Sequence, residues 1–202
     1  MTFHLQQIIM KLNKDYWENR YKNNDVSWDT GEITTPLKDY FDQLINKSLK
    51  ILIPGAGNSY ELDYLTNIGF ENVFVLDIAN IPLENCKKRT NSISDEKFIK
   101  ADFFEHTNQY DLIVEQTFFC ALEPHLRKKY VEKMASLLQP NGKLIGLFFE
   151  FPLTKVGPPF GGSKAEYINL FQDDFTMKTL EKAYNSIKPR KGNELFFIFT
   201  KK

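Results

Sequence analysis

The sequence predicts an α/β fold, a doubly wound and mostly parallel sheet, on three observations. Near-continuous apolar runs ("ILI", "VFVL", "DLIVE", "KLIGLFF") alternate with helix-like segments. Runs of this kind mark strands covered on both faces, and their alternation with helices is the pattern of a parallel sheet with crossovers. A glycine-rich turn, "PGAGNSY", follows the first run. The last two strand candidates are joined by only "NSIKPRKGN", too short for a crossover helix, so they pair as an antiparallel hairpin at one edge.

The 202 residues fit a single domain, 1–202, in which a polar and aromatic segment, 1–48, precedes an alternating region, 49–202. The first segment carries a helix expected from Pro36 to about Lys47, with proline in its first turn after Thr34 and Thr35. Strands are expected at 49–53, 73–76, 97–100, 110–115, 143–150, 173–178 and 194–200. Helices are expected near 58–68, 81–90, 124–138 and 164–171, with Pro140-Asn141-Gly142 as a turn. No repeat or low-complexity tract interrupts this order.

Composition narrows the function. Lys plus Arg equals Asp plus Glu at 26 each, which leaves no broad charged footprint for nucleic acid or an anionic membrane. Cys86 and Cys120 make no disulfide framework, and His4, His106 and His125 are scattered, so no metal site is expected. The start, "MTFHLQQIIMKLNKDYW", has apolar pieces too short for a signal peptide or a membrane span. A cytoplasmic, soluble monomer is the expectation. Aromatic residues reach 14%, with 18 Phe, which suits a large core or an apolar pocket.

The glycine turn is Gly55-Ala56-Gly57-Asn58-Ser59-Tyr60. Glycines there let the chain turn sharply and let a ligand approach the backbone, and the next helix offers free N–H groups. Tyr60 stands where a dinucleotide fingerprint has its third glycine, which weakens a nicotinamide reading. Asp77 closes the second strand 20 residues after Gly57, where an acid accepts both hydroxyls of a ribose or simply caps the helix that follows. Asp102-Phe103, just after the third strand, suit the amino group and ring of an adenine. These features favour S-adenosylmethionine over a dinucleotide. A nicotinamide-dependent oxidoreductase on a related fold and a non-catalytic, cofactor-binding regulator are the alternatives.

"YWENRYKNNDVSWDTGEITTPL" with its Trp28-Asp29-Thr30-Gly31 motif, "EQTFFCALEPHLRKKYVEKMASLLQPNGKLIGLFF" and "GPPFGG" together resemble the thiopurine S-methyltransferase superfamily. They look most like its halide/thiol methyltransferase branch, over the chain from about Leu12. The resemblance implies a Rossmann-like class I methyltransferase. Its sheet has seven strands with the last antiparallel between two others, and a helical cap lies at the N-terminus. It implies S-adenosylmethionine as cofactor and a small thiol or halide as acceptor.

By the same resemblance, Trp17, Tyr21 and Trp28 close over the cofactor, and Gly55 and Gly57 border its methionyl end. Asp77 takes the ribose, Asp102 and Phe103 the adenine, and Glu115 and Gln116 lie beside the sulfonium. Phe118, Phe119, Phe149, Phe151, Pro159 and Phe160 form the acceptor pocket. Plant relatives carry tyrosine at the positions of Phe149 and Phe160.

Methyl transfer from a sulfonium to a soft nucleophile is an in-line displacement that asks mainly for alignment and exclusion of water. No general base is assigned. Asp29, Glu150 and Arg190 are candidates to polarise a neutral thiol or hold its anion, although "KPRKGNELFF" reads more readily as a solvated hairpin turn around Arg190. Cys120 lies in an apolar setting, "FFCAL", that raises a thiol's pKa and leaves it inert. Met10 heads the segment where the resemblance begins, so residues 1–9 are expected to be dispensable.

Overall fold

The structure, a computed structural model, describes residues 11–90 and 92–202. The expectation for residues 1–9 lies outside the described residues. Seven strands form one sheet: β1 (Ile51–Pro54), β2 (Val73–Asp77), β3 (Phe98–Lys100), β4 (Tyr110–Gln116), β5 (Leu138–Phe149), β6 (Phe175–Lys182) and β7 (Glu194–Lys201). Their order is β3-β2-β1-β4-β5-β7-β6. The first five are parallel, and β7 runs antiparallel to both β5 and β6. The expected hairpin is therefore present, with its second strand inserted between the first and β5. The strand order reverses between β1 and β4, and ligands of such sheets bind beyond the carboxyl ends of the strands at that point.

The helices are α1 (Lys14–Lys22), α2 (Thr35–Asp42), α3 (Tyr60–Asn67), α4 (Asn80–Arg89), α5 (Arg127–Leu137) and α6 (Lys164–Phe171). Successive strand residues point to opposite faces, and both faces are covered. Leu52 belongs to a core on the α5 and α6 side with Tyr130, Phe148, Phe171, Phe197 and Phe199. Its neighbours Ile51 and Ile53 belong to a second core with Leu37, Leu62 and Leu83, on the α2, α3 and α4 side. That division is why the strands read as unbroken apolar runs. Much of the phenylalanine goes into the first core, where Phe148 and Phe197 stack with ring centroids 4.0 Å apart.

Two expectations are corrected, and one helix, α1, was not foreseen. α2 stops at Asp42 rather than near Lys47. Beyond it Ile45 is 93% exposed, with no face to pack on, and the Asn46 side chain accepts from the Ser48 amide at 3.0 Å in a local turn. α1 carries no apolar signature because none of its residues is buried; Asn13 caps it. The Pro140-Asn141-Gly142 turn lies inside β5 as an irregularity in its pairing with β4. Among the described residues no helix is long and apolar enough to cross a membrane.

Candidate active site

A cavity of about 650 Å³ opens at the carboxyl ends of β1, β2 and β4. Its volume suits a cofactor-sized ligand. The turn after β1 forms one wall, with Gly55 at φ +58 and Gly57 at φ +53, where a side chain would be strained. A Cβ on Gly55 would lie 2.2 Å from the Phe118 ring, and one on Gly57 would lie 3.0 Å from the Tyr21 hydroxyl. Gly55 is thus needed for room as well as for conformation, and Gly57 chiefly for conformation.

Asp77 sits at the end of β2, 8% exposed. Its two carboxylate oxygens accept from the Gly57 amide at 3.0 Å and the Ala79 amide at 2.8 Å. Burial pushes its pKa up to about 6 against the pull of these amides. Asp102 lines the cavity and caps the turn that carries Phe103, accepting from the Phe104 amide at 2.8 Å.

The cap supplies a second wall. Trp28 meets Trp17 and Tyr21 edge-on, at 5.6 and 5.7 Å between centroids, and the Arg20 guanidinium lies 4.9 Å from the Trp28 ring. Three polar ties hold this cap to the core. The Glu18 carboxylate accepts from the Asn80 amide at 2.6 Å, at the start of α4. Asp29 accepts from the Asn58 side chain and from the Tyr60 hydroxyl, bridging the Trp-Asp-Thr-Gly motif to the glycine turn. Arg190 donates to the Trp28 carbonyl at 2.8 Å.

The far end of the cavity is apolar. Phe118, Phe149, Phe151, Pro158 and Pro159 line it, with Cys120, Ala121, Leu122 and Leu126. Burial pushes the Cys120 thiol up, away from the thiolate.

The sequence-derived set is brought together in part. Trp17, Tyr21, Trp28, Gly55, Gly57, Asp77, Asp102, Phe103, Gln116, Phe118, Phe149, Phe151 and Pro159 all border this cavity. Glu115, Phe119, Phe160 and Glu150 do not. Glu115 is fully buried behind the wall, because alternation along β4 turns it away from the face Gln116 presents. Phe119 belongs to the core beneath α5, and Phe160 packs its ring against Gly157. Glu150 pairs with Lys182 at 2.7 Å. Arg190 is 8% exposed and lines the cavity, so the solvated-turn reading is corrected. Both Asp29 oxygens already accept hydrogen bonds, one of them from the Gly31 amide at 2.8 Å.

Sequence reasoning missed Glu61, Ser59 and Thr117. Burial pushes the Glu61 pKa up to about 7, and this cavity-lining acid gives no sign of itself in an ordinary helical pattern. Ser59 and Thr117 carry positive φ values of 45° and 59°, a feature that no residue type announces. The Ser59 hydroxyl is buried at the cavity wall without a hydrogen-bond partner.

The thiopurine S-methyltransferase (TPMT) family matches this chain over residues 12–200. The chain belongs to that family. The family chain is 30% identical over 184 residues to "Probable thiol methyltransferase 2" of Arabidopsis thaliana, with 88% of this chain and 81% of that protein covered. It is also 30% identical to "Thiocyanate methyltransferase 1" of Brassica oleracea over the same shares, and 25% identical to "Thiopurine S-methyltransferase" of Nitrosospira multiformis, over 85% of this chain and 86% of that one. Among solved structures, magnesium protoporphyrin IX methyltransferase of Synechocystis PCC 6803 superposes with a TM-score of 0.71 at 13% identity, covering 98% of this chain and 100% of that one. A TehB-like methyltransferase of Corynebacterium glutamicum gives 0.66 at 16%, covering 94% and 98%. The fold is that of class I methyltransferases.

Membership of the TPMT family makes the protein an S-adenosylmethionine-dependent S-methyltransferase. The site fits that cofactor: a glycine cradle, a buried acid after β2 and an orphaned Ser59 hydroxyl share one wall. The oxidoreductase alternative receives no support.

Proposed function

We propose that this TPMT-family enzyme methylates the sulfur of a small apolar thiol, with soft anions such as halides as a second class of acceptor. The observation that carries the reading is one continuous cavity whose polar end suits the cofactor and whose other end is walled by Phe118, Phe149, Phe151 and Pro159. When bound, S-adenosylmethionine supplies an electrophilic methyl group on a sulfonium sulfur. Asp77 would hold the ribose, Asp102 and Phe103 the adenine, and the 55–57 turn the methionyl end. Trp17, Tyr21 and Trp28 would close the cap over it, and Gln116 would lie beside the sulfonium.

The remaining task of the chain is alignment and exclusion of water. Phe149 and Phe151 strip water from the nucleophile, which strengthens its attack. Arg190 lies 5.8 Å from the Phe149 ring centroid and is paired with the buried Glu194 at 3.4 Å, so its charge at the apolar end is offset. A soft nucleophile held in line and stripped of water needs no strong base from the chain. The names of the Arabidopsis and Brassica relatives support a thiol or a thiocyanate-like anion. Phe149 presents no hydroxyl to the apolar end, which favours thiols over halides here. The reading includes a cytoplasmic monomer with neither nucleic acid nor membrane as partner, in keeping with a net charge of zero.

S-adenosylhomocysteine formation with iodide, hydrosulfide, an aromatic thiol and a thiopurine under one set of conditions tests this. Turnover highest with the thiols is expected. Iodide turned over fastest would make halide the principal acceptor, and no product with any of the four would overturn the reading.

A further inference from the structure

Glu115 is the residue of β4 that the cavity leaves out, yet it touches much of what shapes the cavity. One carboxylate oxygen accepts from the Phe118 and Phe119 amides, both at 2.9 Å. The other accepts from the Tyr130 hydroxyl at 2.5 Å. Glu115 and Tyr130 are both fully buried. Opposite them β5 leaves out a side chain: a Cβ on Gly146 would come within 2.0 Å of the Glu115 carbonyl oxygen and 2.8 Å of its Cβ. A carboxylate is costly to bury, and this one has three donors and a cleared neighbour.

The two amide donors belong to the turn that borders the cavity, and the third comes from α5. Thr117, a β-branched residue at φ 59°, holds a conformation that persists only when its surroundings enforce it. Phe118 lies on Gly55, where the two ends of the cavity meet. The Tyr130 ring packs on Phe118 at 6.0 Å and on Phe103 at 5.7 Å, so the same unit steadies the aromatic residue after β3.

We propose that Glu115 and Tyr130 are positioning residues for methyl transfer, bracing the 117–119 turn and the Phe103 ring so that the two ends of the cavity stay in line. The inference rests on the methyl-transfer reading. Misalignment of this kind lowers the rate of the chemical step more than it weakens binding.

The parent protein and its Glu115→Val, Glu115→Gln and Tyr130→Phe variants are to be compared. The readouts are kcat, acceptor KM, cofactor Kd from quenching of tryptophan fluorescence, and Tm. Measured well below its Tm, Glu115→Val is expected to lose more than about tenfold in kcat, with KM and Kd within about threefold. Glu115→Gln keeps an oxygen for both amides and recovers most of that loss. A folded Glu115→Val within about tenfold of the parent, or a Gln variant no better than Val, overturns the brace. Should the Val variant fail to fold, Tyr130→Phe decides. A loss of more than about threefold in kcat at nearly unchanged Tm supports the brace, and a smaller one overturns it. A parent that forms no S-adenosylhomocysteine sinks both readings, whereas an active parent with equally active variants sinks only this one.

Discussion

Asp77 shows what a single buried carboxylate costs and what it provides. The rise of its pKa from 3.8 to about 6, caused by burial, corresponds to about 3 kcal/mol against the ionised form. In return it satisfies the Gly57 and Ala79 amides. In Asp77→Asn the charge penalty disappears, but one of these amides loses its acceptor at a cost of about 1–3 kcal/mol. The two terms oppose each other, so Tm at pH 8 is expected to shift little. If Asp77 holds the ribose as proposed, cofactor Kd is expected to rise by roughly tenfold or more; calorimetry and a thermal melt check both halves. Gly55→Ala has no such compensation. It drives a Cβ into the Phe118 ring at φ +58, and a fall of about 1–3 kcal/mol in urea-measured stability is expected. At this scale legibility was uneven. The two glycines and Asp77 could be read because spacing and residue type sufficed. Phe118 and Phe119 could not be told apart, since only the direction each side chain takes after β4 decides which faces the cavity and which the core.

At the scale of elements, the cap is joined to the core by contacts between helices that lack strong signals of their own. α1 has no buried residue and holds its place through Glu18, whose carboxylate caps α4 from outside at the Asn80 amide. Capping interactions are worth about 1 kcal/mol, and negative charge at a helix N-terminus adds to that. Glu18→Ala is therefore expected to weaken cofactor binding several-fold and to speed hydrogen exchange in α1 while β1 and β4 stay protected. Unchanged exchange in α1 would show that the aromatic contacts and the ties through Asp29 and Arg190 hold the cap without Glu18. The strands were legible because each is covered on both faces, as β1 shows with Ile51, Leu52 and Ile53. The end of α2 was not, because Leu44 and Ile45 continue the apolar pattern although the helix has ended, Leu44 packing on the core from the following loop and Ile45 facing outward.

For the whole molecule, the buried acids among the described residues add up to a pH dependence. Burial raises the pKa of Asp77 to about 6 and those of Glu61 and Glu115 to about 7, and pushes that of Glu194 up as well. Between pH 4 and 7 the folded protein therefore binds more protons than the unfolded chain, and stability falls as pH rises through that window. The cofactor-free protein is expected to melt at a higher temperature at pH 5.5 than at pH 8. The opposite order would show that one or more of these acids is ionised at little cost. The position of β7 carries a further consequence. It lies between β5 and β6, and the Arg190 guanidinium just before it holds the Trp28 carbonyl, 162 residues away. While the chain is being made, the edge of β5 stays unpaired until the residues from Glu194 to Lys201 have left the ribosome. Until then the cap lacks its tie from Arg190. Between the making of β5 and that of β7 the nascent chain thus carries an open, phenylalanine-rich sheet edge, a surface prone to association that chaperones shield.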